Sequence, residues 1–116
     1  MKIPGYTLHG DYYLSDTIIP NKNWEEACRM KQTVTLPNGK KVIAHTLSKE
    51  ELETIPISER IGYLNNGKAG WYWTSTPYDD DGAWFVYYGG GFDYICFLDS
   101  NNYGGTRLGF HKNEIK

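Results

Sequence analysis

The chain has 116 residues, a formal net charge of -2 and 40% hydrophobic residues. A chain of this length is large enough to bury one hydrophobic core and too small for two ordinary ones. This composition excludes an intrinsically disordered chain, and the scattered Lys and Arg residues argue against nucleic acid as the main partner. We expect one soluble domain over residues 1–116, with no membrane insertion, because no segment approaches the roughly 20 consecutive apolar residues that span a bilayer.

The two cysteines, Cys28 and Cys96, show neither the spacing of a C-x-x-C redox pair nor that of zinc ligands. A single disulfide between them is the alternative to two thiols. The chain starts in polar sequence without the apolar run of a signal peptide, which disfavours an oxidising compartment. We therefore expect two buried free thiols, no cofactor and a cytoplasmic location, or a virion-associated one if the protein is phage-encoded.

The first third of the chain predicts a strand and then a helix. Residues 6–14 favour a strand or ribbon that is interrupted near Gly10. Residues 21–30 predict a helix, because Asn21 or Asn23 can cap its start and acidic residues occupy its first turn. The apolar stripe of this helix includes Cys28, which we expect to face the core.

A hairpin and a second helix follow. The β-branched runs at residues 33–36 and 41–44 flank Asn38-Gly39, a pair suited to the positive φ angles of a tight turn. Ser48 and Glu51 have the spacing of a capping box, so a helix should begin there and run to about Ile55. Pro56 interrupts that helix, and residues 58–62 predict a further turn or short helix.

The C-terminal half predicts strands at residues 71–75, 83–88, 92–98 and 106–110, separated by glycine-rich turns. Such short intervals are typical of an antiparallel meander. In the third strand, alternation places Tyr94 on one face and Ile95 on the other. Since both faces are apolar, we expect this strand to be central in its sheet.

Five segments occur in an order that is typical of one family. They are Asn23-Trp24-Glu25-Glu26-Ala27, Thr46-Leu47-Ser48-Lys49-Glu50-Glu51-Leu52, Trp71-Tyr72-Trp73-Thr74-Ser75-Thr76, Ala83-Trp84-Phe85-Val86 and Gly105-Thr106-Arg107-Leu108. On these segments the chain resembles the C-type-lectin-like domains of bacterial and phage proteins, especially the group typified by the Fibrobacter major paralogous domain. The resemblance implies an α+β fold with two short helices packed on a small, mainly antiparallel sheet and a C-terminal β-meander.

Two features depart from that family. The hairpin around Asn38-Gly39 replaces a shorter connection and is a candidate contact element. The end of the chain lacks the cysteine that many relatives carry there, which removes the disulfide from the first helix to the last strand in secreted C-type lectins. Its loss agrees with an intracellular or virion setting.

Tyrosine and tryptophan are concentrated between Trp71 and Tyr103, where they form either a core or a recognition surface. Related proteins that retroelements diversify vary in this same region, at positions rich in Tyr, Asn, Asp, Ser and Gly. We expect a partner-binding surface that comprises Tyr87, Tyr88, Phe92, Asp93, Tyr94, Asp99, Asn101, Asn102 and Tyr103. A protein is the expected partner, and the alternative is a carbohydrate bound without calcium, by stacking on Trp71, Trp73 or Trp84.

Catalysis and metal binding have weaker support. The calcium-ligand motifs of lectins, Glu-Pro-Asn and Trp-Asn-Asp, do not occur, and Asp79-Asp80-Asp81 is typical of a solvated turn. His9, His45 and His111 lie in three different segments without an acidic partner at a telling spacing. We therefore expect a non-enzymatic protein, and we expect Arg107 to tie its strand to a neighbouring loop as a structural ion pair.

Overall fold

Two five-stranded sheets, one two-stranded sheet and three short helices form the described part of the computed structural model, residues 2–96 and 103–115 without the Cys96 side chain. The strands are β1 (Tyr6–His9), β2 (Tyr12–Ser15), β3 (Ile19–Lys22), β4 (Lys31–Thr35), β5 (Lys41–Thr46), β6 (Gly62–Tyr63), β7 (Ala69–Gly70), β8 (Tyr72–Pro77), β9 (Gly82–Val86), β10 (Phe92–Cys96), β11 (Gly104–Thr106) and β12 (Leu108–His111). The helices are α1 (Trp24–Arg29), α2 (Lys49–Glu53) and α3 (Ile57–Arg60), followed after β12 by a 3₁₀ turn (Lys112–Ile115). The chain is thus a compact α+β domain with mainly antiparallel sheets.

The first sheet has the strand order β1-β2-β12-β5-β4 and is antiparallel throughout. Strands β4 and β5 form the hairpin that the Asn38-Gly39 pair predicts. Gly39 has a φ of 87°, and the side chain of Asn38 accepts a hydrogen bond from the Lys40 backbone at 3.0 Å. The inward faces of this sheet bury Val34, Val42 and aromatic rings in one core cluster.

The predicted helices are present, with capping geometry that explains where they begin. Asn23, and not Asn21, caps α1: its side chain accepts from the Glu26 backbone N–H, and the Glu26 carboxylate accepts from the Asn23 N–H in return. Ser48 and Glu51 form the predicted capping box of α2. A third helix, α3, follows Pro56 where the sequence predicts a further turn or short helix, and it is additional to the two helices that the family resemblance implies.

The second sheet has the order β10-β9-β8-β11-β3. Strands β8, β9 and β10 form the expected antiparallel meander, but β11 lies on the other side of β8 and pairs with it in parallel. The prediction that residues 92–98 form a central strand is wrong within the described residues, because β10 ends the sheet order and β8 is central. Both faces of β10 nevertheless carry an apolar side chain that packs on a core, since Phe92 contacts one core cluster and Ile95 contacts another.

The strand predicted at residues 106–110 is divided at Arg107 between the two sheets, with β11 in one and β12 in the other. The buried guanidinium of Arg107 donates from Nε to the Ser15 carbonyl at 2.8 Å and from Nη1 to the Arg60 carbonyl at 3.2 Å. Arg107 thus ties its strand to neighbouring segments as expected. The expected ion pair is not found among the described residues, where backbone carbonyls and not a carboxylate receive these hydrogen bonds.

Candidate functional site

Seven side chains of the second sheet and its flanking loops line an open groove with a cavity volume of about 510 Å³. They are Trp71, Phe85, Tyr87, Tyr88, Asp93, Ile95 and Tyr103. Trp71 and Phe85 are half-buried and pack against each other with ring centroids 4.7 Å apart. This set of seven is named the groove below, with Trp71 and Phe85 as its floor.

The register of the second sheet brings the groove residues to one face. Asp93 pairs with Phe85 across β10 and β9, and directly paired residues project from the same face of a sheet. Ile95 lies two positions further along β10 and therefore shares this face. Trp71 immediately precedes β8, and its carbonyl accepts a hydrogen bond from Gly105 at 3.0 Å, which fixes the backbone beside the floor.

Gly104 lets the Trp71 ring lie directly on the backbone of β11. A Cβ atom at Gly104 would stand 2.2 Å from both Cη2 and Cζ3 of Trp71, closer than any side chain allows. The Trp71 ring also packs against Phe85 and against the fully buried Trp73, whose ring centroid is 5.0 Å away. The floor of the groove is therefore held in position by several contacts.

The rim of the groove is a tight turn that joins β9 to β10. Tyr87 donates from its backbone N–H to the Gly91 carbonyl, and its own carbonyl accepts from Gly90, both at 2.9 Å. The Tyr87 ring lies against the backbone of Gly89 and Gly91, since a Cβ on Gly91 would be 2.4 Å from Tyr87 Cε1. Arg60 holds this turn in place by donating a hydrogen bond from Nη1 to the Gly90 carbonyl at 3.0 Å.

The tyrosines at the rim keep much of their surface in solvent. Tyr87 is 45% exposed, Tyr88 57% and Tyr103 49%, whereas the tyrosines of the cores are less than 10% exposed. A second cavity of about 240 Å³ shares Trp71, Tyr88 and Tyr103 with the groove and is also lined by Asn21 and Lys68. Tyr88 and Tyr103 therefore line both concave surfaces, whereas Tyr87 lines only the groove.

Of the nine residues predicted as a partner-binding surface, the six that the structure describes are not all on one face of the second sheet. Four of them line the groove: Tyr87, Tyr88, Asp93 and Tyr103. Phe92 and Tyr94 are on the other face of β10, because successive residues of a strand point to opposite faces. The remaining three, Asp99, Asn101 and Asn102, lie outside the described residues.

The opposite face of β9 and β10 carries a second aromatic group. Tyr94 stacks on Tyr78 with ring centroids 3.7 Å apart, and Trp84 meets both rings edge to face. The Lys49 ammonium lies 4.9 Å from the Trp84 ring centroid, and the Arg60 guanidinium lies 4.7 Å from that of Phe92. The hydrogen bond between the Tyr78 and Tyr94 hydroxyls raises the pKa of Tyr78 above its ordinary value of 10.0.

Sequence reasoning missed Phe85 and Ile95 as groove residues. Ile95 could be found from the alternation of side chains along a strand, because it lies two positions after the candidate Asp93 and must share its face. Phe85 could be found only through its cross-strand register with Asp93. Trp71 was considered only as a stacking surface for a sugar, and the other two tryptophans considered with it lie outside the groove.

The histidines and the Asp79-Asp80-Asp81 run lie outside the groove lining. His9, whose neighbours in sequence offer no acidic partner at a telling spacing, lies 3.4 Å from the carboxylate of the distant Glu59. Asp79 accepts a hydrogen bond from the Asp81 backbone within an exposed turn. No group of three or more His, Cys, Asp or Glu residues within the described ranges is arranged to hold a metal ion.

Cys28 is a free thiol in the structure and is half-buried on α1. Burial raises its pKa from 9.0 to about 11, so the thiol is protonated and unreactive at neutral pH. Its expected core position is thus only partly reached, because Ala27 takes the fully buried position on this helix. The side chain of Cys96, the other predicted buried thiol, lies outside the described residues.

Comparison of the chain with protein-family models, curated proteins and solved structures finds no match to any of them. Among the helices that the structure describes, none has the length and apolar character needed to cross a membrane.

Proposed function

We propose that this protein is a non-enzymatic recognition module that binds a protein partner through the groove and its tyrosine rim. The observation that carries the proposal is the clustering of three half-exposed tyrosines, Tyr87, Tyr88 and Tyr103, above a floor of packed aromatic rings. Tyrosine provides a large contact area at a small cost in side-chain entropy and keeps a hydroxyl for hydrogen bonding. Rings of this kind dominate the binding energy of protein interfaces.

The rigidity of the groove also supports binding. Trp71 is fixed between Gly104 and Phe85, and Tyr87 is fixed on its glycine turn, which Arg60 ties to α3. A surface that is already ordered before binding loses little conformational entropy when the partner arrives. The groove therefore has the physical properties of a preformed binding site.

The biological setting belongs to the same proposal. The five sequence segments and their order support a C-type-lectin-like fold, and the tyrosine-rich region corresponds to the part that retroelement-diversified relatives vary. We propose that the module is phage-encoded and either attaches to a host surface or inhibits a host protein. Fold alone does not decide activity, so the groove and not the fold carries the functional argument.

A carbohydrate is the second candidate ligand. The observation in its favour is the concave shape of the groove, whose volume of about 510 Å³ falls within the range of small-ligand pockets. The half-buried rings of Trp71 and Phe85 offer apolar faces for a sugar ring, and Asp93 offers a hydrogen-bond acceptor. Such binding would need no calcium.

Substitution of Tyr88 by alanine tests the proposal. We expect Tyr88→Ala to weaken binding of the captured partner at least tenfold, because a rim aromatic is a typical hot spot, while the free energy of unfolding changes by less than about 0.5 kcal/mol. The partner would be isolated by affinity capture from host lysate with mass spectrometry, and its affinity for each variant measured by biolayer interferometry. Urea denaturation would report stability.

Tyr63→Ala is the matched control, because Tyr63 is a similarly exposed tyrosine, 46% accessible, outside both cavities. This control should bind like the wild type. Equal affinity of all three proteins for the partner would contradict the proposal. A glycan array run in parallel, without calcium, separates the carbohydrate candidate: binding lost in Tyr88→Ala there would favour the sugar.

A further inference from the structure

The carboxylate of Asp93 stands among the aromatic rings of the groove without a balancing charge. Its Oδ1 atom accepts a hydrogen bond from the Tyr94 backbone N–H at 2.8 Å. Within residues 2–96 and 103–115, Asp93 takes part in no ion pair, and none of the seven groove side chains is cationic. The groove thus combines aromatic faces with one unpaired negative charge.

Asp93 is the one charged side chain among the seven that line the groove. The chain segment that supplies all seven, residues 69–106, contains five aspartates and no Lys or Arg. Lys68, just before it, lines the adjoining cavity and not the groove. A partner that enters the groove therefore meets a carboxylate, which attracts cations.

The two faces of β9 and β10 differ in whether cations of the chain itself lie over their aromatic rings. On the face opposite the groove, the chain places its own cations on the rings: Lys49 on Trp84 and Arg60 on Phe92. No cation of the described chain lies over a ring of the groove. The groove rings therefore have no cation of the described chain on them, while Tyr88 and Tyr103 are 57% and 49% exposed, and Asp93 adds the charge that would pair with a cation from another molecule.

We propose that the groove receives an arginine side chain of the protein partner, with its guanidinium stacked on the aromatic rings and paired with Asp93. This inference rests on the proposed function and specifies the chemistry of the partner. Arginine fits better than lysine, because a planar guanidinium stacks on rings and donates two parallel hydrogen bonds to one carboxylate.

Selection of peptides on the whole chain tests the inference. A random heptapeptide library would be selected on the wild-type protein and counter-selected on Tyr88→Ala, so that only groove-dependent sequences remain. We expect these sequences to contain arginine. Isothermal titration calorimetry should show about tenfold weaker binding after Asp93→Asn, and a similar loss when the peptide arginine is replaced by the neutral isostere citrulline.

Asp80→Asn is the matched control, since it removes the same charge from an exposed position outside the groove lining, and its affinity should stay within twofold of the wild type. Groove-dependent peptides without arginine, or a citrulline peptide that binds equally well, would overturn the inference and leave the proposed function standing. If no sequence survives the counter-selection, the proposed function fails together with it.

Discussion

Trp71 shows how a single residue position depends on its neighbours. Its ring lies on the backbone of Gly104 and against Phe85, so its place as the floor of the groove depends on the missing side chain at residue 104. Gly104 has no positive φ that would by itself require glycine. The requirement is therefore one of space, since any Cβ there would overlap the indole ring.

We expect Gly104→Ala to destabilise the protein by about 1–3 kcal/mol, the usual cost of forcing extra volume into a packed site. The same substitution should weaken groove binding, because the Trp71 ring must move. Urea denaturation measures the first effect and calorimetry with a groove-dependent peptide measures the second.

Gly67→Ala is the control that distinguishes the effect of added side-chain volume from the effect of backbone conformation. Gly67 has open space around its Cβ position but a φ of 83°, so its replacement should cost stability without affecting binding. Full peptide affinity in Gly104→Ala would contradict the structural role given to that glycine.

Arg107 acts at the scale of the secondary-structure elements. It lies at the point where the chain leaves one sheet for the other, and the residue is 5% exposed. By donating to the carbonyls of Ser15 and Arg60, it connects the end of β2 and the end of α3 to the junction between β11 and β12. These hydrogen bonds hold three segments that are far apart in sequence at one junction.

Replacement of Arg107 by alanine should destabilise the protein by about 3 kcal/mol, because the Ser15 carbonyl loses this donor, the Arg60 carbonyl keeps only the Tyr72 hydroxyl of the two donors that the structure describes, and a packed side chain is removed. Arg107→Lys should recover only part of this loss, since one ammonium cannot reproduce the fork of the guanidinium. Chemical denaturation measures both variants.

The exposed Arg29 provides the control. Its pair with Glu25 lies on the surface at 3.9 Å, and Arg29→Ala should change stability by less than about 0.5 kcal/mol. If Arg107→Ala were as stable as Arg29→Ala, the junction would not depend on the guanidinium.

Across the whole molecule, three core clusters are divided among the sheets: one within the first sheet, one that joins residues of both sheets and one between α1 and the second sheet. Several ionisable groups are enclosed by this packing. Burial raises the pKa of the Cys28 thiol from 9.0 to about 11, and burial also raises the pKa of the Tyr72 hydroxyl above its ordinary 10.0. Both groups are therefore protonated in the folded protein at neutral pH.

These shifts predict loss of stability at alkaline pH. The unfolded chain loses the thiol proton near pH 9.0, whereas the folded chain holds it to about pH 11. The contribution of the thiol to the free energy of unfolding is therefore fully present below pH 9.0 and is lost as the pH rises toward 11, because the unfolded state binds fewer protons in this range. The free energy of unfolding, measured by urea denaturation at steps across this range, should show the fall.

Cys28→Ala isolates the thiol. The variant should lose less stability than the wild type over the same interval, because one of the shifted groups is gone, while the tyrosines still contribute at higher pH. An identical pH dependence of the two proteins would show that the thiol ionises at the same pH in the folded and unfolded chain.

Local chemistry allowed several elements to be predicted from the sequence. The asparagine cap of α1, the Ser48-Glu51 capping box, the Asn38-Gly39 turn and the break at Pro56 each depend on residues within five positions of one another, and the structure contains all of them. The β8–β10 meander was likewise visible as short strands between glycine turns. Such features are decided by backbone geometry and local hydrogen bonds, which the sequence states directly.

Only the tertiary structure decided which distant segments meet. The parallel pairing of β11 with β8, the edge position of β10 and the division of a predicted strand at Arg107 all depend on contacts between residues far apart in sequence. The groove has the same origin: Phe85 and Asp93 meet through strand register, and Trp71 joins them through Gly104. By itself the sequence determined that tyrosines would be concentrated in this region, because composition is local, whereas long-range pairing determined which of them share a face.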